Sequence, residues 1–363
     1  MSTIFAEDQF GPLSPLMNDQ QANDIIVDGP TQVYIRHEGK VIEVDHHFKD
    51  EAQLMAVIRG LVGLTGRTLD ESGPMIDFRL ADGSRVNIVL PPLSPTGPVL
   101  TIRKYYEDPL TIDDLIRFGS VSVEVAAFLR ACVQARLNIL VSGGTNSGKT
   151  TILNVLLSFV PDEERMVVVE REAAVRLRQK RVVRLEALPP NREGKGAVTV
   201  RDLLLNSLKM LPGRIIMGEL QGGEALDLMQ VMLLGYEGSM SLLHANSPRE
   251  ALTRLEEMAT LDNLTVPVLT ARKLMASAID LIVQQLQLQD GSRKIVNISQ
   301  VQGLQGDLPA LAEIFVFEQQ GTENGKIVGR MKPTGVQPTF LQRIKATGVP
   351  LPPGLFGAAN TAA

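Results

Sequence analysis

The sequence predicts an α/β chain: a largely parallel sheet with helices on its faces, preceded by a smaller α+β domain. Three observations carry this. Strand and helix signals alternate from residue 121 through Leu286, as in parallel strands joined by helical crossovers. Within that stretch a glycine-rich turn at 143–150 falls between a short apolar strand, 137–141, and a helical run, 151–159. Before it, residues 11–104 hold short alternating runs separated by Gly, Pro and Asp turns.

In chain order, Ile25-Ile26-Val27 and Val33-Tyr34-Ile35 read as strands on either side of the turn Asp28-Gly29-Pro30. Residues 52–64 carry Leu54, Met55, Ile58, Leu61 and Val62 at helical spacing. Turns at 72–74 and 81–83 separate further strands that run to Arg103. These place a first domain at 1–104 and a linker at 105–120. The second domain, 121–331, opens on a helix whose buried face is Val125, Phe128, Leu129, Cys132 and Val133. Asp290-Gly291 and Asn324-Gly325 are hairpin turns, so antiparallel strands close this domain. Residues 332–363, interrupted repeatedly by Pro and Gly, are expected to be loosely ordered.

Composition narrows the function. The 363 residues are 44% hydrophobic and 21% charged, an ordinary globular balance, and 4% aromatic with no Trp, so the core is aliphatic. A net charge of −5 argues against a chain whose main work is holding phosphate backbones, and no nucleic-acid partner is expected. One cysteine excludes a disulfide framework and a multi-cysteine zinc site. No apolar run reaches 18 residues and residues 1–20 show no leader pattern, so a cytoplasmic protein is expected.

The chemistry concentrates in three segments. Gly143-Gly144-Thr145-Asn146-Ser147-Gly148-Lys149-Thr150, followed by Thr151, matches G-x-x-x-x-G-K-[ST] in the strand–turn–helix context that motif requires. Its backbone N–H groups and the helix N-terminus suit a β-phosphate, Lys149 reaches β- and γ-oxygens, and the Thr150 hydroxyl is a Mg²⁺ ligand. ATP with Mg²⁺ is the expected cofactor. About 70 residues on, Arg214-Ile215-Ile216-Met217-Gly218-Glu219 ends an apolar strand in a carboxylate suited to Mg²⁺ or its water. Thirdly, Ser247, Pro248 and Glu250 mark a helix start, which leaves His244 at a strand end, either hydrogen-bonded structurally or sensing a γ-phosphate.

In this order the three segments resemble the ATPases of type II/IV secretion systems, most of all the CpaF-like branch that drives Tad (Flp) pili. Gly11-Pro12-Leu13-Ser14-Pro15-Leu16, the run Leu100-Thr101-Ile102-Arg103-Lys104 and Leu351-Pro352-Pro353-Gly354-Leu355-Phe356 extend the resemblance over nearly the whole chain. It implies a RecA-like P-loop ATPase domain behind the N-terminal domain, a homo-hexameric ring, and nucleotide held between the two domains. It also implies partners among inner-membrane platform proteins and a place at the inner face of the cytoplasmic membrane. Matched residue by residue, Glu170 falls on the Asp-box carboxylate that orients water, Glu219 on the Walker B carboxylate and His244 on the His box. Arg85 and Arg103 are the arginines that would help neutralise the γ-phosphate.

The chain departs from the family at several places. The Asp-box run reads Glu170-Arg171-Glu172-Ala173-Ala174-Val175; Gln221, Leu205 and Leu211 stand where Arg is usual, and Tyr236 where His is. If the strand through Glu170 stays extended, Glu170 and Glu172 share a face and Arg171 points away. The resemblance supports two readings. One is an ATP-hydrolysing motor subunit of a pilus-assembly or secretion system. The other is a nucleotide-binding ring subunit with a structural or regulatory role beside an active paralogue. The basic cluster Arg171, Arg176, Arg178, Lys180, Arg181 and Arg184 lacks interleaved aromatics and reads as a solvated loop or subunit contact.

Overall fold

The computed structural model describes residues 10–19, 21–37, 40–65, 69, 73–104, 110–190, 194–260 and 266–357. It divides into two compact units, Met1–Asp108 and Pro109–Ala363.

In the first unit a short helix α1 (Ser14–Asn18) leads to strands β1 (Asp24–Asp28), β2 (Val33–His37) and β3 (Lys40–Glu43), helix α2 (Glu51–Gly63), then β4 (Met75–Arg79), β5 (Arg85–Val89) and β6 (Val99–Arg103). The strands form one antiparallel sheet in the order β3-β2-β1-β6-β5-β4. Alternation does the work here: Ile25, Val27, Val33, Val86, Ile88, Leu100 and Ile102 are buried and their neighbours less so. α2 begins because the Asp50 side chain accepts from the Gln53 N–H (2.8 Å), and it buries Leu54, Ile58 and Leu61.

The second unit runs α3 (Ile112–Arg117), α4 (Val123–Gln134), β7 (Ile139–Gly143), α5 (Lys149–Leu157), β8 (Met166–Glu170), β9 (Val182–Glu186), α6 (Val200–Ser207), β10 (Arg214–Leu220), α7 (Glu224–Leu233), β11 (Met240–His244), α8 (Pro248–Thr260) and α9 (Val268–Ala278). Strands β12 (Leu281–Gln287), β13 (Arg293–Gln305), β14 (Leu308–Glu323) and β15 (Lys326–Pro333) and helix α10 (Leu341–Ala346) complete it. Its sheet has the order β15-β14-β13-β12-β7-β11-β10-β8-β9. The strands from β12 to β9 are parallel, and β13 to β15 are antiparallel additions. Apolar side chains cover both faces, in two clusters around Phe128, Val141 and Leu153 on one side and Val169, Met217 and Leu243 on the other.

Three sequence expectations need correction. β7 starts at Ile139 rather than 137, because the Asn138 side chain bonds the Ala278 carbonyl (2.8 Å) and accepts from Gly238 and Ser239. The proposed linker 105–120 is partly structured: Thr111 and Asp114 cap α3 reciprocally, and Leu115 is buried in the second unit's core, while 105–109 lie outside the described residues. The segment expected to be loose is packed. Phe340, Ile344, Leu355 and Phe356 are buried, Phe356 meets Phe128 edge-on (5.7 Å), and Arg343 on α10 bonds Asp280 (3.1 Å) and the Arg136 carbonyl (3.0 Å). Pro and Gly forbid long elements there, but the aromatic residues between them still find the core. Residues 358–363 lie outside the described ones.

Candidate nucleotide-binding site

The site grows from β7, which lies between β12 and β11 and is buried along its whole length. A strand in that position delivers the residues after it to the C-terminal edge of the sheet, where open α/β sheets bind ligands. Here those residues form the turn 143–148. Gly143 pairs in register with Gln285 on one side and His244 on the other. A Cβ at Gly143 would overlap the Gln285 carbonyl oxygen and come within 2.5 Å of Ser147 Oγ; one at Gly144 would lie 3.3 Å from Asn246 Oδ1. Asn146 (φ 59°) and Gly148 (φ 92°) are left-handed, and the chain between them swings round into α5. The cradle is one that side chains would fill, and it suits a phosphate at a helix N-terminus.

Lys149 opens α5 and curls back over the turn. Its Nζ donates to the Gly144 carbonyl (3.0 Å) and stands 3.6 Å from Glu219 Oε1. The lysine side chain is 10% exposed and the glutamate 37%, so both keep access to a ligand. Thr145 and Asn146 are exposed, Ser147 is buried, and Thr150 and Thr151 are half-buried in the first turn of α5. His244 closes β11, half-buried, directly beside Gly143. Lys149, Glu219, His244 and the glycine turn are therefore gathered at the ends of three adjacent strands, β7, β11 and β10.

Glu170 is one strand further, at the end of β8, and only 3% exposed. Its Oε1 accepts from the Ala174 and Val175 N–H groups, both 2.8 Å. Burial pushes its carboxyl above the usual carboxylate range, against the opposing pull of those two N–H groups. Its Cγ lies against Gly218, where a Cβ would come within 3.2 Å. This corrects the extended-strand expectation. The chain bends at Arg171 and Glu172 as the Glu170 carboxylate gathers the loop behind it. Glu172 is exposed while Glu170 is buried, and Arg171 faces Glu224 at 3.6 Å.

Arg85 and Arg103 belong to the first unit, where they oppose each other in register across β5 and β6. Both are engaged within their own sheet, Arg85 with Asp77 (Nε 3.0 Å) and Arg103 with Asp24 (3.0 Å). In the basic cluster, Arg181 donates to the Glu163 carbonyl and Arg184 to the Leu177 carbonyl. Gln221 donates its N–H to Glu224 (2.9 Å), and Leu211, left-handed at φ 53°, is 85% exposed. Cys132 is buried, and burial pushes its thiol up, consistent with a core residue.

Sequence reasoning missed the support behind the turn. Ser142 Oγ bonds the Gln284 side chain, whose Nε2 donates to the Ala245 carbonyl (2.9 Å), joining β7, β12 and the loop after β11. Arg293 on β13 donates from Nε to the Asn146 carbonyl (2.8 Å). No local pattern announces these contacts, because the partners are far apart in sequence.

A central parallel strand ending in this turn, with a carboxylate at the end of the strand two places along the sheet, gives this unit a P-loop arrangement of the RecA-like kind. The particular family emerges from comparison: the chain belongs to the type II/IV secretion system protein family, whose model matches residues 6–335. A putative conjugal transfer protein of Mycobacterium tuberculosis is 32% identical over 307 residues, covering 83% of this chain and 87% of that one. The type IV secretion system protein PtlH of Bordetella pertussis is 32% identical over 325 residues, covering 80% and 94%. Among solved structures, the ATPase DotB of Yersinia pseudotuberculosis shares the fold, with a TM-score of 0.59 at 15% identity over 85% of this chain and 82% of that one.

Proposed function

We propose that this chain binds ATP with Mg²⁺ in the turn 143–150 and hydrolyses it as a motor subunit of a pilus-assembly or secretion machine. The observation that carries the reading is the convergence of Lys149 and Glu219, 3.6 Å apart, on a glycine cradle at the C-terminal edge of the sheet. Bound ATP supplies a phosphoanhydride, and Mg²⁺ offsets its charge. The protein's part is to hold and orient. The N–H groups of the turn and the Lys149 ammonium bind the phosphates; Thr150 and Glu219 hold the metal; His244, beside Gly143, senses the γ-phosphate. Glu170 orients the attacking water, and burial makes its carboxylate a stronger proton acceptor than an exposed one. The subunits form a homo-hexamer that docks on platform proteins at the inner face of the cytoplasmic membrane. Among the described residues no helix is long and apolar enough to cross a membrane.

One observation favours the second reading, a nucleotide-binding ring subunit with a structural or regulatory role beside an active paralogue. Glu170 serves as a cap for its own loop, a role that needs no chemistry. Titrating MgATP into the full chain, with light scattering in the presence and absence of a non-hydrolysable analogue, tests what both readings share. Both expect binding and nucleotide- or concentration-dependent rings. A strictly monomeric profile under every condition counts against both.

A further inference from the structure

The β12–β13 hairpin presses on the glycine turn at several points. The Gln285 carbonyl occupies the space a Cβ at Gly143 would need; Gln285 Nε2 and Arg293 Cδ lie 3.6 and 3.1 Å from where a Cβ at Gly148 would sit. Arg293 then bonds the Asn146 carbonyl through Nε at 2.8 Å, across 147 residues of sequence. Arg293 is exposed and has no ion-pair partner among the described residues. The hairpin itself is held firmly. At its tip Asp290 accepts from the Ser292 N–H (3.0 Å) and hydroxyl (2.7 Å) and from the Ile327 N–H (2.6 Å) of β15.

A trans peptide points its carbonyl and the next N–H to opposite sides. With the Asn146 carbonyl held outward by Arg293, the Ser147 N–H must face inward. There it donates to Gly144 O (3.3 Å), the same oxygen that receives Lys149 Nζ. Ser147 sits between two left-handed residues, Asn146 and Gly148, a backbone that surrounding contacts must hold in place. We propose that Arg293 is a positioning residue for the nucleotide: from the outer side of the turn it fixes the Asn146–Ser147 peptide so that the Ser147 N–H points into the phosphate cradle. This rests on the reading of the turn as a nucleotide site.

Two variants separate the hydrogen bond from the charge. Arg293→Ala removes both. Arg293→Gln removes the charge but places Nε2 the same number of bonds from Cα as Arg Nε. Hydrogen–deuterium exchange of peptides spanning 143–150, on the nucleotide-free full chain, is expected to quicken in Arg293→Ala and to stay at the wild-type rate in Arg293→Gln. MgATP Kd is expected to rise about 5- to 10-fold in Arg293→Ala, which is about 1–1.4 kcal/mol, and to stay within about twofold in Arg293→Gln. Unchanged exchange in Arg293→Ala overturns the proposal whether or not ATP binds. Normal exchange with Arg293→Gln binding as poorly as Arg293→Ala overturns it too, because the charge would then act on the ligand directly. Failure of the wild type to bind MgATP defeats the nucleotide reading, while the exchange comparison still decides the role of Arg293.

Discussion

Replacing Lys149 with Ala removes a cation that is 10% exposed and makes two contacts, 3.0 Å to the Gly144 carbonyl and 3.6 Å to Glu219. A unit charge 4 Å from a phosphate oxygen, at the effective dielectric of a protein surface, is worth about 4 kcal/mol. Binding a phosphate makes the lysine give up its present partners, an offset of about 1–2 kcal/mol. The net loss on substitution is then about 2–3 kcal/mol, or MgATP binding about 30- to 150-fold weaker. The fold should hardly notice. Glu219, left behind, is 37% exposed and can be hydrated, so stability changes by less than about 1 kcal/mol. Calorimetric titration of wild type and Lys149→Ala, with thermal unfolding of both, measures the two numbers together. An affinity within twofold of wild type, in a variant that still folds, would mean that Lys149 does not face a bound phosphate.

Glu170→Gln should keep MgATP affinity and lower kcat by about 10²- to 10⁴-fold. It should also change stability with pH. Because burial raises the folded carboxyl, the folded state holds that proton more tightly than the unfolded chain. Its ionisation costs stability above the raised pKa, and the cost fades as pH falls through it towards the ordinary carboxylate range. Gln keeps an acceptor for Ala174 and Val175 without the charge, so its Tm advantage over wild type should be larger at pH 8 than at pH 5; calorimetry showing the reverse order would contradict this. Phe356→Ala should cost about 3 kcal/mol in denaturant unfolding, as for other large-to-small core changes. An unchanged midpoint would mean that the C-terminal segment does not pack on Phe128 in solution.

Features written in contiguous residues were legible. Ser247, Pro248 and Glu250 announce α8, and the structure has the Glu250 N–H donating to Ser247 Oγ at 3.1 Å. The turn 143–150 is likewise local: its glycines and lysine state their geometry in eight letters. Contacts that close across the sheet were not legible. Nothing near Arg293 points to Asn146, and nothing near Glu170 shows that its carboxylate would fold the loop back on Ala174 and Val175 instead of leaving Glu172 beside it. The C-terminal segment misled for another reason. Proline and glycine report where regular elements stop, not whether Phe340 and Phe356 have a core to enter.

Whether the chain is a working ATPase is decided by steady-state ATP turnover of the purified full chain, at a concentration where rings form and with Lys149→Ala as the blank. Wild-type turnover should stand well above the Lys149→Ala rate, with Glu170→Gln close to that blank. Wild-type turnover equal to the blank, in protein shown by titration to bind MgATP, would contradict the motor reading.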